Sequence, residues 1–201
     1  MIALPPRLRA LALGWGAVGV AYTLSGLLQG PGTVLAESAL DRLVPFDPRG
    51  VWLYLSFFAL IPYAYLRADA ARVPWLMRAM QFGALVSGIV FVLFPTTLHY
   101  PPVAGASLSA AALRLLAAGD SAQNCLPSLH AALTCLAARA LVDARRPWRS
   151  ALVVLWSAAI TYSIVQTRRH LALDISAGVL VALVCGMLAA RLPAFSRRAI
   201  R

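Results

Sequence analysis

The sequence predicts an all-α, polytopic integral membrane protein, and three observations carry that expectation. The chain is 61% apolar and only 12% charged, with a mean hydropathy of +0.76, whereas a soluble domain has roughly 45–50% apolar and about 25% charged residues. Its apolar residues gather in six runs, most of them near the ~20 residues that a helix needs to cross a bilayer. Arginines stand in short clusters between the runs, the arrangement that orients a chain in a membrane. A soluble helical core would need far more polar surface than this sequence offers.

Taken in order, the first run spans residues 10–28 and follows the basic pair Arg7 and Arg9. A secretory signal has an apolar stretch of about 7–15 residues, so this longer run reads as a retained span. Five more follow at residues 51–66, 75–93, 126–142, 150–166 and 171–192, the second rather short. No repeat or linker interrupts them, so residues 1–201 are expected to form one six-helix membrane domain. Gly14, Gly16, Gly19 and Gly26 suit close helix packing. The loop at residues 30–50, with Pro31, Pro45 and Pro48 among its acids, is expected to form a small cap. In the loop at residues 95–124, Leu108, Leu113, Leu115 and Leu116 could make one apolar face of a helix lying in the membrane interface. A plain connector is the competing reading.

Charge gives the orientation. The formal charge is +11, and all eighteen basic residues are arginine. With the N-terminus inside, inner segments hold thirteen: Arg7, Arg9, Arg67, Arg72, Arg78, Arg139, Arg145, Arg146, Arg149, Arg191, Arg197, Arg198 and Arg201. Outer loops hold five: Arg42, Arg49, Arg114, Arg168 and Arg169. The excess places both termini in the cytoplasm. Topology and anionic lipid headgroups account for these clusters, and nucleic acid is not the expected partner. The partners expected are the bilayer and a membrane lipid. Cys125, Cys135 and Cys185 have no metal-ligand spacing, and the chain has no carboxylate cluster, so neither metal nor cofactor is implied. His99, between Leu98 and Tyr100, reads as an interfacial residue.

The chemistry lies in two polar stretches at the starts of apolar runs. His130 opens the fourth run and His170 the sixth. Between them the chain goes down one span and returns up the next, so both histidines reach the same outer face. One span alone would hold them ~30 Å apart. Asp174 stands four residues after His170, on one helix face with it, and can hold one imidazole nitrogen while the other acts as base or nucleophile. An acid within a span is costly, which marks Asp174 as functional. Both stretches begin helices, whose free N–H groups favour an anion such as phosphate. Pro127 suits a first helical turn, Ser128 offers a hydroxyl, and Arg168 and Arg169 add cationic donors.

The run Pro127-Ser128-Leu129-His130 resembles the second signature of the type 2 phosphatidic acid phosphatase (PAP2) superfamily, usually Pro-Ser-Gly-His. Ser163, His170 and Asp174 resemble the third signature, Ser-Arg-x5-His-x3-Asp, and the six-span layout is similar too. The resemblance implies a phosphohistidine on His170, orientation of that ring by Asp174, and a proton from His130 to the leaving alcohol. It also implies charge stabilisation by Ser128, Arg168 and the helix N-termini.

The chain departs from the pattern in three places. The first signature, Lys-x6-Arg-Pro, has no counterpart between Arg78 and His130. Ile164 replaces the Arg after Ser163, and Leu129 replaces Gly. These departures resemble the inositol phosphorylceramide synthase-like branch. Arg168 and Arg169 are then expected to supply the missing charge, with Arg114 as a further candidate.

The expected function is therefore lipid phosphoester hydrolysis or headgroup transfer at the outer face, in a bacterial inner membrane with the site facing the periplasm. A non-catalytic lipid carrier or scaffold on a degenerate version of this fold is the rival from another class. Phosphatidic acid, isoprenoid phosphates, phosphatidylglycerol phosphate and sphingolipid-type headgroup donors all remain open as substrates.

Overall fold

The computed structural model describes residues 5–192 and is mostly helical. Arg197, Arg198 and Arg201, counted above with the inner arginines, lie outside the described residues. Helix α1 (Pro6–Leu28), α5 (Val73–Leu93), α8 (Pro147–Gln166) and α9 (Ala172–Arg191) are each long and apolar enough to cross a membrane. Pro6, Pro74 and Pro147 sit in the first turns of α1, α5 and α8, where a missing N–H removes no helical bond.

The second and fourth apolar runs form shorter helices than the other four. The second is divided into α3 (Val51–Leu55) and α4 (Phe57–Arg67). The break falls at Ser56, whose hydroxyl donates to the Leu53 carbonyl at 2.6 Å and competes with the helical ladder. Trp156 of α8 donates its indole N–H to the same hydroxyl at 2.8 Å and holds the break in place. The fourth run is a 13-residue helix, α7 (Leu129–Leu141), capped by Ser128. Pro127 therefore lies ahead of the cap and not in the first turn, and it follows a cis peptide bond.

Hydrogen bonds at one end of the bundle establish its up-and-down course. The Arg7 guanidinium donates to the carbonyls of Tyr65 and Ala68, joining the start of α1 to the end of α4. Arg72 donates to the carbonyls of Arg139, Ala140 and Val142, joining the start of α5 to the end of α7. Trp75 donates to Gly186 at 2.8 Å and brings in the last turns of α9. These arginines satisfy carbonyls that a helix end leaves without partners. Both described ends of the chain thus lie at this arginine-rich end.

The core between the helices is apolar and continuous, with Tyr54, Leu60, Ile61, Tyr65, Met80 and Leu133 among its buried side chains. α5 packs against α1, α7 and α9, and α7 packs against α9. A Cβ on Gly14 would collide with the Tyr65 hydroxyl, while Gly16, Gly19 and Gly26 face open space, so only the first of the four is a packing glycine.

The opposite end carries the connecting structure. The loop after α1 forms β1 (Thr33–Val34), α2 (Ala39–Leu43) and a 3₁₀ turn at Pro48–Gly50, which is the expected cap. β1 pairs in parallel with β2 (Thr96–Thr97), in register Thr33 to Thr96, and ties the loop after α1 to the loop after α5. The second loop contains α6 (Leu108–Gly119), N-capped by Ser107. α6 buries Leu113 against the bundle and leaves Leu108 and Leu115 exposed, so its apolar residues are divided between two faces. Trp52 of α3 donates to Ser109 at 3.0 Å and holds α6 beside α3.

Candidate active site

Three local structures build the polar end. The first is the cap of α7. Asn124 takes a left-handed φ of 62°, which its short polar side chain tolerates, and the chain then turns into Ser128. The Ser128 hydroxyl accepts from the Ala131 N–H at 3.2 Å, a side-chain cap. Its backbone N–H donates to the Asp174 carbonyl at 2.9 Å, which locks the start of α7 onto α9. Gly178 makes this approach possible, because a Cβ there would strike the Ser128 carbonyl. Ser128 therefore caps α7, and His130 follows within its first turn.

The second is the C-terminus of α8. Thr167 caps the helix and Arg168 takes a left-handed φ of 52°. The Arg168 N–H returns to Val165 at 2.9 Å and the Arg169 N–H to Ile164 at 3.1 Å, the two bonds of a Schellman motif. Glycine usually fills that left-handed position, because a side chain there is strained by about 1–2 kcal/mol. Here the guanidinium anchors the turn. It donates to the carbonyls of Val165, Asp41 and Val44, and its Nε lies 3.0 Å from a Glu37 carboxylate oxygen. Arg168 thus fastens the first loop to the α8–α9 turn, with its guanidinium on Glu37, Asp41 and Val44.

The third is the start of α9. His170 precedes the helix, two residues before Ala172, so it does not share helix α9 with Asp174 as its spacing predicts. The turn nonetheless brings His170 Nδ1 to 3.4 Å from Asp174 Oδ2. The same oxygen accepts the Leu171 N–H at 2.8 Å, while Asp174 Oδ1 is buried with no hydrogen-bond partner among the described residues. Asp174 is 0% exposed. Asp41 of α2 accepts the Ala172 N–H at 2.7 Å and is itself held by Ser38. Burial raises the Asp41 pKa, and the bonds from Ser38 and Ala172, with Arg168 nearby, outweigh it and hold the carboxyl below its usual value.

These three pieces place the His130 and His170 ring centroids 5.6 Å apart. The Tyr54 hydroxyl lies 2.9 Å from His130 Nε2 and commits that nitrogen. The rings of Tyr54 and Phe57 stand 4.9 and 4.8 Å from the His130 ring and hold it on two sides. Arg169 is buried against the Tyr100 ring, 4.7 Å from its centroid, and its Nη2 lies 2.9 Å from Asp120 Oδ2. Asp120 also accepts the Tyr22 hydroxyl. Burial raises the Asp120 pKa, but the neighbouring His130 imidazole, the Tyr22 bond and the Arg169 charge outweigh it, so Asp120 stays below its usual range. Burial pushes the Cys125 thiol up to about 11, which leaves it protonated and structural.

A cavity of about 440 Å³ lies between α1, α3, α4, α6 and α7 and takes in His130 and Asp120 but not His170, Asp174 or Arg169. Its walls are apolar and aromatic, including Trp15, Phe58, Leu116 and Leu133, and it ends at His130 and Asp120. A chamber that is greasy along its length and polar at one end matches an amphiphile with a charged head.

Of the residues singled out from sequence, His130, His170 and Asp174 come together, with Arg169 behind Asp120 beside them. Arg168 faces α2. Arg114 donates to the carbonyls of Val103 and Gly105 at 3.1 and 2.9 Å and braces its own loop. Tyr22, Asp41, Tyr54 and Asp120 escaped sequence reasoning. Tyr22 and Tyr54 stand in apolar runs and look like core residues, and the two acids stand in loops and look like solvated charge. No group of three or more possible metal ligands occurs among the described residues.

The four membrane-length helices and the apolar composition define an integral membrane protein, with a polar cluster that holds two histidines at one end of its bundle. The PAP2 superfamily model matches residues 50–188, from the 3₁₀ turn before α3 almost to the end of α9, and the chain belongs to that superfamily. Membership suggests a phosphatase-type membrane enzyme. Among curated proteins and among solved structures no match is found. Tyr22 and Asp41 lie ahead of the matched region, so part of the polar end is built from outside it.

Proposed function

We propose that this protein is a lipid phosphatase or phosphotransferase that works through a phosphohistidine on His170. The observation that carries the proposal is the pairing of two imidazoles at 5.6 Å, one of them backed by a buried carboxylate. Asp174 Oδ2 stands 3.4 Å from His170 Nδ1, which has no hydrogen-bond partner among the described residues, and closing that gap would orient the ring and leave the far nitrogen to attack phosphorus. As the nitrogen–phosphorus bond forms, the bond from phosphorus to the lipid alcohol breaks, and His130 gives the departing oxygen its proton. A water or a second alcohol then attacks phosphorus, His130 takes its proton, and the bond to His170 breaks. Arg169 and the N–H groups at the starts of α7 and α9 stabilise the phosphoryl oxygens.

The proposed topology is six crossings, with α3 and α4 acting as one and both termini cytoplasmic. The site then faces the outer side, the periplasm of a bacterial inner membrane. Arg7, Arg72 and Arg139 at one end of the bundle and the histidines at the other support it.

Hydrolysis and headgroup transfer share the first half of the reaction. Hydrolysis needs only the one apolar cavity that takes in His130, which suits the chain of the substrate, whereas transfer, as in the inositol phosphorylceramide synthase-like branch, would need a second apolar groove for a lipid alcohol. The test uses purified protein in detergent, wild type beside His170→Ala, with phospholipids and isoprenoid phosphates as substrates and no added metal. Free phosphate that disappears in the variant identifies a phosphatase, and a new headgroup-bearing lipid that disappears identifies a transferase. If no lipid is turned over, the proposal fails and a non-catalytic lipid carrier takes its place.

A further inference from the structure

We propose that Asp120 is a specificity-determining residue that makes the site select a singly charged phosphodiester over a doubly charged phosphomonoester. The inference rests on the phosphoester reading above and adds the charge of the ester that the site accepts.

The charges at the polar end do not suit a dianion. Arg169 is the cation beside the histidines, and its Nη2 is already engaged by Asp120 at 2.9 Å. Asp174 stands behind His170 as a second buried carboxylate. Arg168 is turned onto Glu37 and the carbonyls of Asp41 and Val44, and Arg114 onto those of Val103 and Gly105. Arg169, Asp120 and Asp174 together carry one negative charge, and the proton that His130 holds for the leaving oxygen brings the cluster only to zero. A phosphoester entering this cluster meets no net positive charge, and its repulsion by Asp120 grows with its own charge.

Asp120 is also at the right place to act on the substrate. It shares the polar end of the cavity with His130, so an ester whose chain fills the cavity brings its phosphate within reach of both. The C-terminus of α6 does not explain the acid, because a carboxylate at a helix C-terminus opposes the helix dipole. Tyr22 and Arg169 hold it there from two other parts of the chain. The Arg169 Nε remains buried without a hydrogen-bond partner among the described residues, one donor for one anionic oxygen.

The experiment compares two lipids with identical short chains, dioctanoyl phosphatidic acid and dioctanoyl phosphatidylmethanol. At pH 8.5 the monoester carries nearly two charges and the diester one. Binding is measured calorimetrically in detergent on the His170→Ala background, with and without Asp120→Asn, and turnover is measured on the chain with His170 intact. At an effective dielectric of about 20, a tenfold change in affinity needs only about 1.4 kcal/mol, and one added unit of charge in the same polar end as Asp120 supplies at least that. Asp120→Asn is therefore expected to shift the monoester-to-diester affinity ratio about tenfold toward the monoester. Tyr22→Phe, which removes a hydrogen bond but no charge, is expected to leave that ratio within about twofold.

A ratio that Asp120→Asn leaves unchanged overturns the inference, and so does an equal shift in Tyr22→Phe. If the ratio shifts but the His170-intact protein turns over neither lipid, the selectivity stands and the catalytic reading falls. If both lipids are turned over while the ratio stays fixed, the reverse holds.

Discussion

Tyr54→Phe isolates the part of the site that sequence reasoning missed. Tyr54 is 1% exposed, and its hydroxyl lies 2.9 Å from His130 Nε2. The substitution removes that one oxygen and keeps the aromatic ring beside the imidazole. A net hydrogen bond of this kind contributes about 1 kcal/mol, and leaving a buried polar partner unsatisfied costs about 1–3 kcal/mol. If the hydroxyl fixes His130 for proton transfer, about 1–2 kcal/mol appears in the barrier, which is roughly a 5- to 30-fold loss in kcat. KM should stay within about twofold, because the argument gives the hydroxyl to His130 and not to the lipid. The assay is turnover against lipid mole fraction in mixed micelles, beside a thermal melt of the same preparation. A kcat within twofold of wild type would refute the positioning role, and so would a rise in KM that carries the whole effect.

Three further outcomes are expected. Arg169→Gln should abolish most turnover with a modest change in melting temperature. Arg168→Gln should instead cost about 2 kcal/mol of stability through its lost bonds to carbonyls, and equal losses of activity in the two variants would contradict the division of labour. Asp41, whose carboxyl is held below the ordinary value of 3.8, contributes stability that is present above that value and fades as pH falls through its lower folded value. Acid melts of Asp41→Asn should accordingly lose part of the decline that wild type shows below pH ~4. Cys125→Ala should keep activity within about threefold, measured beside wild type treated with a thiol-alkylating reagent. Loss of turnover in both would make the thiol catalytic.

The sequence by itself determined the helical membrane class, because apolar runs of ~20 residues have few other stable structures. It also determined the relation of His130 to His170, since two crossings return a chain to the face it left.

Tertiary structure decided the rest. Helix ends shifted by one or two residues and put His170 ahead of α9, yet the Schellman turn carried it back to Asp174. Nothing local reveals that turn, because Arg168 holds a position that glycine usually marks, and its strain is met by contacts more than 120 residues away. Arg168 and Arg169 are adjacent and chemically identical, and sequence assigned both to phosphate. Only the turn between α8 and α9 sends the first to α2 and the second to Asp120. The same holds for Tyr22, Tyr54 and Asp41, whose partners lie on other elements. A side chain's type and local period are written in the chain, but its partner depends on how the helices pack.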